Sequence, residues 1–500
     1  MMMMIIIIII IIITIIIIII IIIIIIIIMM MMTMLPPLMS TLSMIMMQEQ
    51  DEWKDKLSTL SDDILVFILS LMERKEATRT CILSRRWRYL ATYFTNLNFD
   101  VDNLETMTLG CKRQLKPVKD LKPRFLNWVS QVVALNRAPF IDEFRIRFPL
   151  DETDSSHLEA WINFAILKRV QNLELHLRSY TITSHVWKGM SHLKSLSLKG
   201  VNICGEVVEL VFSRCHLLER LYIARSYNLF KLKILNLSSE KLKYLTVHDC
   251  QNLEEVEVQA RNLVSFDFKC FHTVVVHVSA PSLIEAQFHG LYDTGLLPKF
   301  SPIRSLAAHL SKLSLNVYEK WIDEGLIIPS FPNIQYLKLW VSIKYSHFNF
   351  ILLRCFPEAC PLLHEFKLEV TYYPYNGEVD SDSDLDYSDS DDLKDSNLQD
   401  VKRWLETREE ISATFPNLWK VEWASTFHND LNKEYMLALH IVKNAIKLKD
   451  FIFTPIIPKP YSSYEEYSDY EEAMETCIDR AERLALVLPS HVNFVVIKEG

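Results

Sequence analysis

The chain has 500 residues, a formal net charge of −9 and a pI near 6.0, which is room for roughly three ordinary domains. The acidic balance argues against a protein built to grip nucleic acid, which presents a basic face. Nine glycines in the whole chain argue against phosphate-cradling loops, which need glycine for tight turns and close backbone approach.

The nine cysteines (Cys81, Cys111, Cys204, Cys215, Cys250, Cys270, Cys355, Cys360 and Cys477) are odd in number and never spaced C-x-x-C. Buried free thiols in a reducing compartment are expected, not a disulfide framework or a zinc site.

Residues 1–32 are Met and Ile broken only by Thr14, and no charge precedes Glu49. Such a run is long enough to span a bilayer. It lacks the basic start and small-residue cleavage site of a signal peptide, and the flanking positive residues that orient a membrane helix. Met, Ile and Thr codons differ by single bases, so an expanded simple repeat gives the same residues. A start at Met46 or Met47 removes it. Two readings stand for residues 1–48: a low-complexity artefact, or a membrane anchor through residues 5–32.

Residues 51–100 are dense in charge and helix signals. Ser61 is placed to cap a helix with Asp62 and Asp63 in its first turn, as the helix dipole prefers. Leu60 and Leu65 are spaced as a hydrophobic staple. Ile64, Leu65, Ile68 and Leu69 recur at helical spacing. A second helix is expected from about Glu76 to Leu83, and Ser84 starts a third that carries Trp87 and Leu90. Three helices in so short a segment make a marginal core. Its surplus of apolar side chains is therefore expected to pack on another protein.

Residues 101–140 read as a linker punctuated by Pro117, Pro123 and Pro139. From 141 to 371 a unit apolar at i, i+3 and i+5 recurs. It occurs at Ile141/Phe144/Ile146, Val170/Leu173/Leu175, Leu193/Leu196/Leu198, Leu218/Leu221/Ile223, Leu242/Leu245/Val247 and Leu263/Phe266/Phe268. It continues at Leu310/Leu313/Leu315, Ile334/Leu337/Leu339 and Leu363/Phe366/Leu368. Units start roughly 20–30 residues apart, the period of leucine-rich repeats. One such strand cannot bury its own face, so neighbours must stack. Extra units at Leu232/Leu235/Leu237 and Leu253/Val256/Val258 shorten the interval and leave no room for a return helix. Strands are expected on both sides of the solenoid there and short helices elsewhere, as at 205–215 (GEVVELVFSRC). Residues 376–396 form an acidic Asp/Ser insert, read as disordered and self-repelling; Leu385 stands where a calcium loop needs glycine. The rhythm returns at Leu418/Val421/Trp423 and Leu448/Phe451/Phe453, within a last region at 415–497.

LSDDILVFILSLM (60–72) and KEATRTCILSRRWRYL (75–90) resemble the F-box of plant F-box/leucine-rich-repeat proteins. FPNLWKVEW (415–423), YMLALHIVKNAIKLKDFIF (435–453) and RLALVLPSHVNFVVI (483–497) resemble the FBD region that ends many of them. The resemblance implies a substrate-recognition subunit of a Skp1–cullin–F-box ubiquitin ligase. It places Leu60, Ile64, Leu65, Ile68, Leu69, Leu83 and Trp87 in or behind the surface that binds a Skp1-like adaptor and, through it, cullin. Ser61, Glu73 and Ala91 depart from the usual family residues. Compartments that suit such a receptor are the nucleus and cytoplasm.

The implied fold class is α/β: a three-helix module, then an irregular solenoid of parallel strands with short helices or strands on the return side. Positions i+2 and i+4 of each unit then face outward on the concave sheet. Arg220, Tyr222, Tyr244, Tyr336 and Lys338 are the expected target contacts, since Tyr and Arg suit protein hot spots. An alternative is a repeat scaffold outside ubiquitination, membrane-tethered if the first residues are translated. No nucleophile motif, metal set or cofactor loop stands out, so a non-catalytic receptor without cofactor or metal is expected.

Overall fold

A computed structural model describes residues 59–71, 80, 84–100, 118–182, 184–235, 240–272, 274–289, 306–318, 328–343, 353–372, 415–425, 431–456 and, with short gaps, 477–497. Residues 1–48, most of 72–83 and the acidic insert at 376–396 lie outside the described residues. The chain divides into two units, Met1–Leu71 and Met72–Gly500.

The described part of the first unit is one helix, α1 (Asp62–Leu71), with Asp62 and Asp63 in its first turn. The carbonyl of Ser61 accepts the Leu65 N–H at 3.1 Å, so Ser61 stands at the boundary where its spacing puts it.

The second unit holds the helices α2 (Arg85–Leu90), α3 (Val118–Leu135), α4 (Ser155–Leu167), α5 (Gly205–Arg214), α6 (Cys355–Glu358) and α7 (Leu431–Asn444). Its strands are β1 (Asn96–Asp100), β2 (Glu143–Arg147), β3 (Asn172–Thr181), β4 (Ser195–Asn202), β5 (Arg220–Ala224), β6 (Lys231–Ile234), β7 (Tyr244–His248), β8 (Glu255–Gln259) and β9 (Ser265–Lys269). They continue with β10 (Val275–Ser279), β11 (Glu285–His289), β12 (Lys312–Tyr318), β13 (Tyr336–Ile343), β14 (Glu365–Tyr372), β15 (Lys420–Ser425), β16 (Asp450–Pro455) and β17 (Asn493–Val496). Fourteen of them form one sheet in chain order, all pairs parallel, skipping β6, β8 and β10. Those three form a second parallel sheet, ordered β10-β8-β6.

The two-sheet stretch follows from spacing. Buried Cys250, Ala260, Cys270 and Ala280 recur every ten residues. The N–H of Leu253, Leu263 and Leu283 each bond the carbonyl three residues earlier, at Cys250, Ala260 and Ala280. A small corner residue, a tight turn and a five-residue strand use up the interval, so the chain alternates between sheets with no room for a helix. Where the interval is longer, helices such as α5 fill the return path; the sequence places that helix at 205–215 and it runs Gly205–Arg214.

Inward positions of successive strands stack into one apolar core. Phe144, Leu173, Leu196, Leu221, Leu245, Phe266, Ala286, Leu313, Leu337, Phe366, Val421 and Phe451 share one register line and are all buried. Aromatic contacts run from rung to rung, as between Phe266 and Phe288 (5.9 Å between ring centroids) and Trp423 and Phe451 (6.1 Å). Such pairs add about 0.5–1.5 kcal/mol beyond the area they bury. Asparagines just before the apolar corner tie each rung to the previous one: the side chains of Asn252, Asn262 and Asn333 donate to the carbonyls of Tyr227, Glu240 and Ala308.

Three details differ from the sequence reading. The unit expected at Leu232/Leu235/Leu237 sits three residues earlier, at Leu229/Leu232/Ile234, and Leu235 is 47% exposed. KLKILNL offers two alternations one register apart, and the stretch alone does not choose between them. Units at Leu283/Ala286/Phe288 and on β10 escape the apolar count because Ala286 is small and the sequence has a threonine, not a large apolar residue, at position 273. The sheet also starts earlier than the counted rhythm, at β1, and α3 occupies much of the stretch read as linker.

Gly200 has φ +66°, and a Cβ built there would lie 2.1 Å from the Leu177 carbonyl oxygen. It sits opposite the register break between His176 and Tyr180 of β3, where the strands approach too closely for any side chain.

Candidate functional surfaces

The first surface lies on α1. Leu65, Ile68 and Leu69 are buried and Leu60 is half-buried, whereas Ile64 and Phe67 are 44% and 53% exposed. Positions three apart are neighbours on a helix, so Ile64 and Phe67 present a paired apolar face. The sequence reading named Ile64 and missed Phe67; the i, i+3 spacing from Ile64 is the signal that would have found it.

In the second unit, Ser84 caps α2, its hydroxyl accepting from the Trp87 N–H at 3.3 Å. Trp87 and Leu90 are buried, and Arg85 and Arg88 exposed. The segment is tied to the start of the repeats: Arg137 N–H donates to the Thr92 carbonyl at 2.7 Å, and the Asn136 side chain donates to the Phe94 carbonyl at 2.9 Å. The Arg137 guanidinium also lies 5.2 Å from the Tyr89 ring centre. Leu83 lies outside the described residues.

The second surface is the outward face of the long sheet. The strands largely alternate, so positions i+2, i+4 and i+6 of most units project from the sheet in three rows, buried Ala224 and Ser314 being exceptions. The i+2 row carries Arg220, Tyr244 and Tyr336; the i+4 row carries Tyr222, Asp267 and Lys338. The i+6 row carries His176, Lys199, His248, Lys269, His289, Trp340 and Glu369. This third row lies beyond the i, i+3, i+5 unit and is absent from the sequence expectation, although the apolar–polar alternation continues into it.

The rows interact. Arg220 lies over the Tyr244 ring at 4.5 Å. The Tyr222 ring is 5.9 Å from His176 and 5.7 Å from His248. Asp267 sits 2.9 Å from His248 and 3.7 Å from His289. His289 packs on Trp340 at 4.4 Å, and Lys338 lies 3.8 Å from the same indole and 3.2 Å from Glu369. Tyr336 is thus apart from Arg220, Tyr222 and Tyr244, which cluster on β5 and β7. Glu174 is held by Arg145 at 2.9 Å and by Arg147.

Electrostatics follow burial. Desolvation lowers the pKa of His176 and His289, against the opposing pull of Glu174 and Asp267. It raises the Tyr222 and Tyr336 phenols. The hydrogen bond to Glu174 raises Arg147. The face is therefore a mosaic of neutral imidazoles, phenols and paired ions, suited to recognising another surface.

Comparison with known proteins gives two family matches. The F-box domain model matches residues 57–98, and the model described as At1g61320/AtMIF1, LRR domain, matches residues 173–404. Three Arabidopsis thaliana relatives are similar to parts of the chain. F-box/LRR-repeat protein At3g59190 is 26% identical over 47% of this chain and 67% of its own length. F-box/FBD/LRR-repeat protein At5g22700 is 26% identical over 38% of this chain and 46% of its own. FBD-associated F-box protein At1g66310 is 25% identical over 64% of this chain and 78% of its own. Among the described residues no helix is long and apolar enough to cross a membrane. The chain carries an F-box domain followed by a leucine-rich-repeat domain, and its homologues are plant F-box/LRR and FBD-associated F-box proteins.

Proposed function

We propose that this chain is the substrate-recognition subunit of a Skp1–cullin–F-box ubiquitin ligase, acting in the nucleus or cytoplasm. The observation that carries the reading is the exposed Ile64/Phe67 pair on the helix that lies inside the F-box match. Two large apolar side chains held on a rigid helix favour burial against a partner helix; with about half of each already covered, hiding the rest is worth about 1.5–3 kcal/mol for the pair. Ile64 and Phe67 would make the contact, supported by Leu60, Leu65, Ile68 and Leu69; in the second unit, Leu83 and Trp87 are the further adaptor residues of this reading. A Skp1-like protein is the adaptor, with cullin recruited through it.

The target protein binds the repeat face, with Arg220, Tyr222 and Tyr244 as one cluster and Tyr336 and Lys338 as another. Large aromatic and Arg side chains anchored by cation–π contacts lose little freedom on binding. The chain itself is non-catalytic in this reading and uses no cofactor; bond-making chemistry belongs to the other ligase subunits.

The test is co-expression of the full chain with a Skp1-type adaptor. A stable one-to-one complex that also retains cullin supports the assignment. Recovery of the chain free of every Skp1-type protein offered overturns it.

A further inference from the structure

Outside these surfaces, the second unit carries an open surface cavity of about 570 Å³ at the end of the sheet where β14, β15 and β16 begin. His364, Trp419 and Lys449 immediately precede those three strands, and backbone bonds hold them in line: Trp419 N–H donates to the His364 carbonyl at 3.0 Å, and Lys449 N–H to the Trp419 carbonyl at 2.9 Å. The turn after α7 supplies Ile446 and Lys447 as one wall, and His491 lines the cavity from the segment before β17.

Its charge is one-sided. Among the described residues no carboxylate lines the cavity, and the ionisable groups they supply are two lysines and two histidines, in a chain whose net charge is −9. The lysines on the outward face of the same strands are neutralised, Lys367 by Glu422 at 2.9 Å and Lys420 by Glu422 at 2.6 Å. Lys447 meets only the neutral Asn417 side-chain oxygen at 3.3 Å, and neither Lys447 nor Lys449 has an ion-pair partner among the described residues. The apolar part is equally specific. Trp419 is half-buried and offers an indole on the cavity wall, and Ile446 is 75% exposed beside it.

We propose that this cavity binds a small organic anion that carries a flat apolar ring. Its volume is in the range of small-molecule sites. Lys447 and Lys449 would hold the anionic group as point charges, and the ring N–H groups of His364 and His491 would donate hydrogen bonds to it. Trp419 would take the ring by stacking, as aromatic side chains do for heterocycles, and Ile446 would cover its edge. The assignment does not depend on the ligase reading.

The test uses the full chain and calorimetric titration with adenosine monophosphate as probe, adenosine as its uncharged counterpart and inorganic phosphate as the ringless one. Adenosine monophosphate is expected to bind at least tenfold more tightly than either, with affinity falling as salt rises. Lys447→Glu with Lys449→Glu should abolish binding, and Trp419→Leu should weaken it about tenfold. Lys367→Glu, on the outward face, should leave it unchanged. Circular dichroism checks that each variant is folded; the two cavity lysines are exposed, so their reversal leaves the core intact. Absence of binding at millimolar probe, equal binding of adenosine, or binding that survives the double charge reversal would each overturn the proposal. A phosphoserine peptide binding tenfold more tightly than adenosine monophosphate would assign the cavity to a macromolecular partner and overturn it as well.

Discussion

Replacing Gly200 by alanine should destabilise the repeat unit severely, and the structure sets the size. At φ +66° a Cβ costs about 1–2 kcal/mol in an ordinary L-residue such as alanine. That Cβ would also lie 2.1 Å from the Leu177 carbonyl oxygen and 3.0 Å from that of Arg178. Both are backbone atoms, so no rotamer change relieves the overlap. β3 must move away from β4, at the cost of one or two ladder hydrogen bonds of about 1 kcal/mol net each.

The total is about 2–4 kcal/mol. Asparagine tolerates positive φ far better than alanine. Gly200→Asn therefore separates the two causes: if the close approach matters, it is nearly as damaging as Gly200→Ala. Gly189→Ala is the internal comparison, because its Cβ meets Ile166 Cγ2 at 2.3 Å. Ile166 is half-buried and its side chain can turn away, so a cost of about 1–2 kcal/mol is expected. The assay is the urea midpoint followed by tryptophan fluorescence. A Gly200→Ala shift below about 1 kcal/mol, or a Gly200→Asn protein as stable as the wild type, would refute the reasoning.

Three further outcomes follow from the core and the outward face. Burial pushes the thiols of Cys215 and Cys360 up to about 12 and that of Cys250 to about 11, so at pH 8 roughly one in a thousand or fewer is ionised. A disulfide-exchange reagent at pH 8 should modify these three only after denaturant is added. Because their folded pKa values lie above the ordinary 9.0, they contribute stability that is fully present below pH 9 and is lost as pH rises toward 12. His176 and His289 have the opposite sign: burial depresses them below 6.5, so their contribution is complete above pH 6.5 and is lost as pH falls below it. His176→Gln with His289→Gln should flatten the stability profile on the acid side of 6.5, measured by thermal melts from pH 7.5 to 5. Phe266→Ala, which removes a fully buried ring in contact with Phe268 and Phe288, should cost about 3–5 kcal/mol in the same urea assay.

The fold was legible where large apolar residues mark all three positions of a unit. Leu193/Leu196/Leu198 and Ile334/Leu337/Leu339 give strand, register and inward face at once. It was illegible where small or polar residues occupy the same geometry. Ala286 is as buried as the phenylalanine beside it in register, yet an apolar count passes over it, because the large neighbours Phe266 and Phe288 already fill the space. The alternation of sheets between 242 and 289 was readable from the ten-residue interval alone, since no helix and return fit in it.

The candidate surfaces divide in the same way. Helical spacing placed Ile64, Leu65, Ile68 and Leu69 on one element, but periodicity does not say which of them a partner sees. Exposure separates Ile64 and Phe67 from the rest. On the sheet, outward Arg220, Tyr222 and Tyr244 follow from alternation, while their coupling to His176, His248, Asp267, His289 and Trp340 runs through strands distant in sequence, from β3 to β13. The basic cavity unites His364, Trp419, Lys449 and His491 from four separate rungs, a placement that no local motif records.

The most direct test of the ligase account is the affinity of the full chain for a Skp1-type adaptor, with and without Ile64→Asp and Phe67→Asp. Both side chains are exposed, so the double variant should keep the wild-type melting temperature, whereas Leu65→Asp, buried in the same helix, should lose stability as well. The account predicts nanomolar-to-micromolar binding by the wild type and at least a hundredfold loss in the double variant, the scale of two interface hot spots. A double variant that binds the adaptor as tightly as the wild type would contradict it.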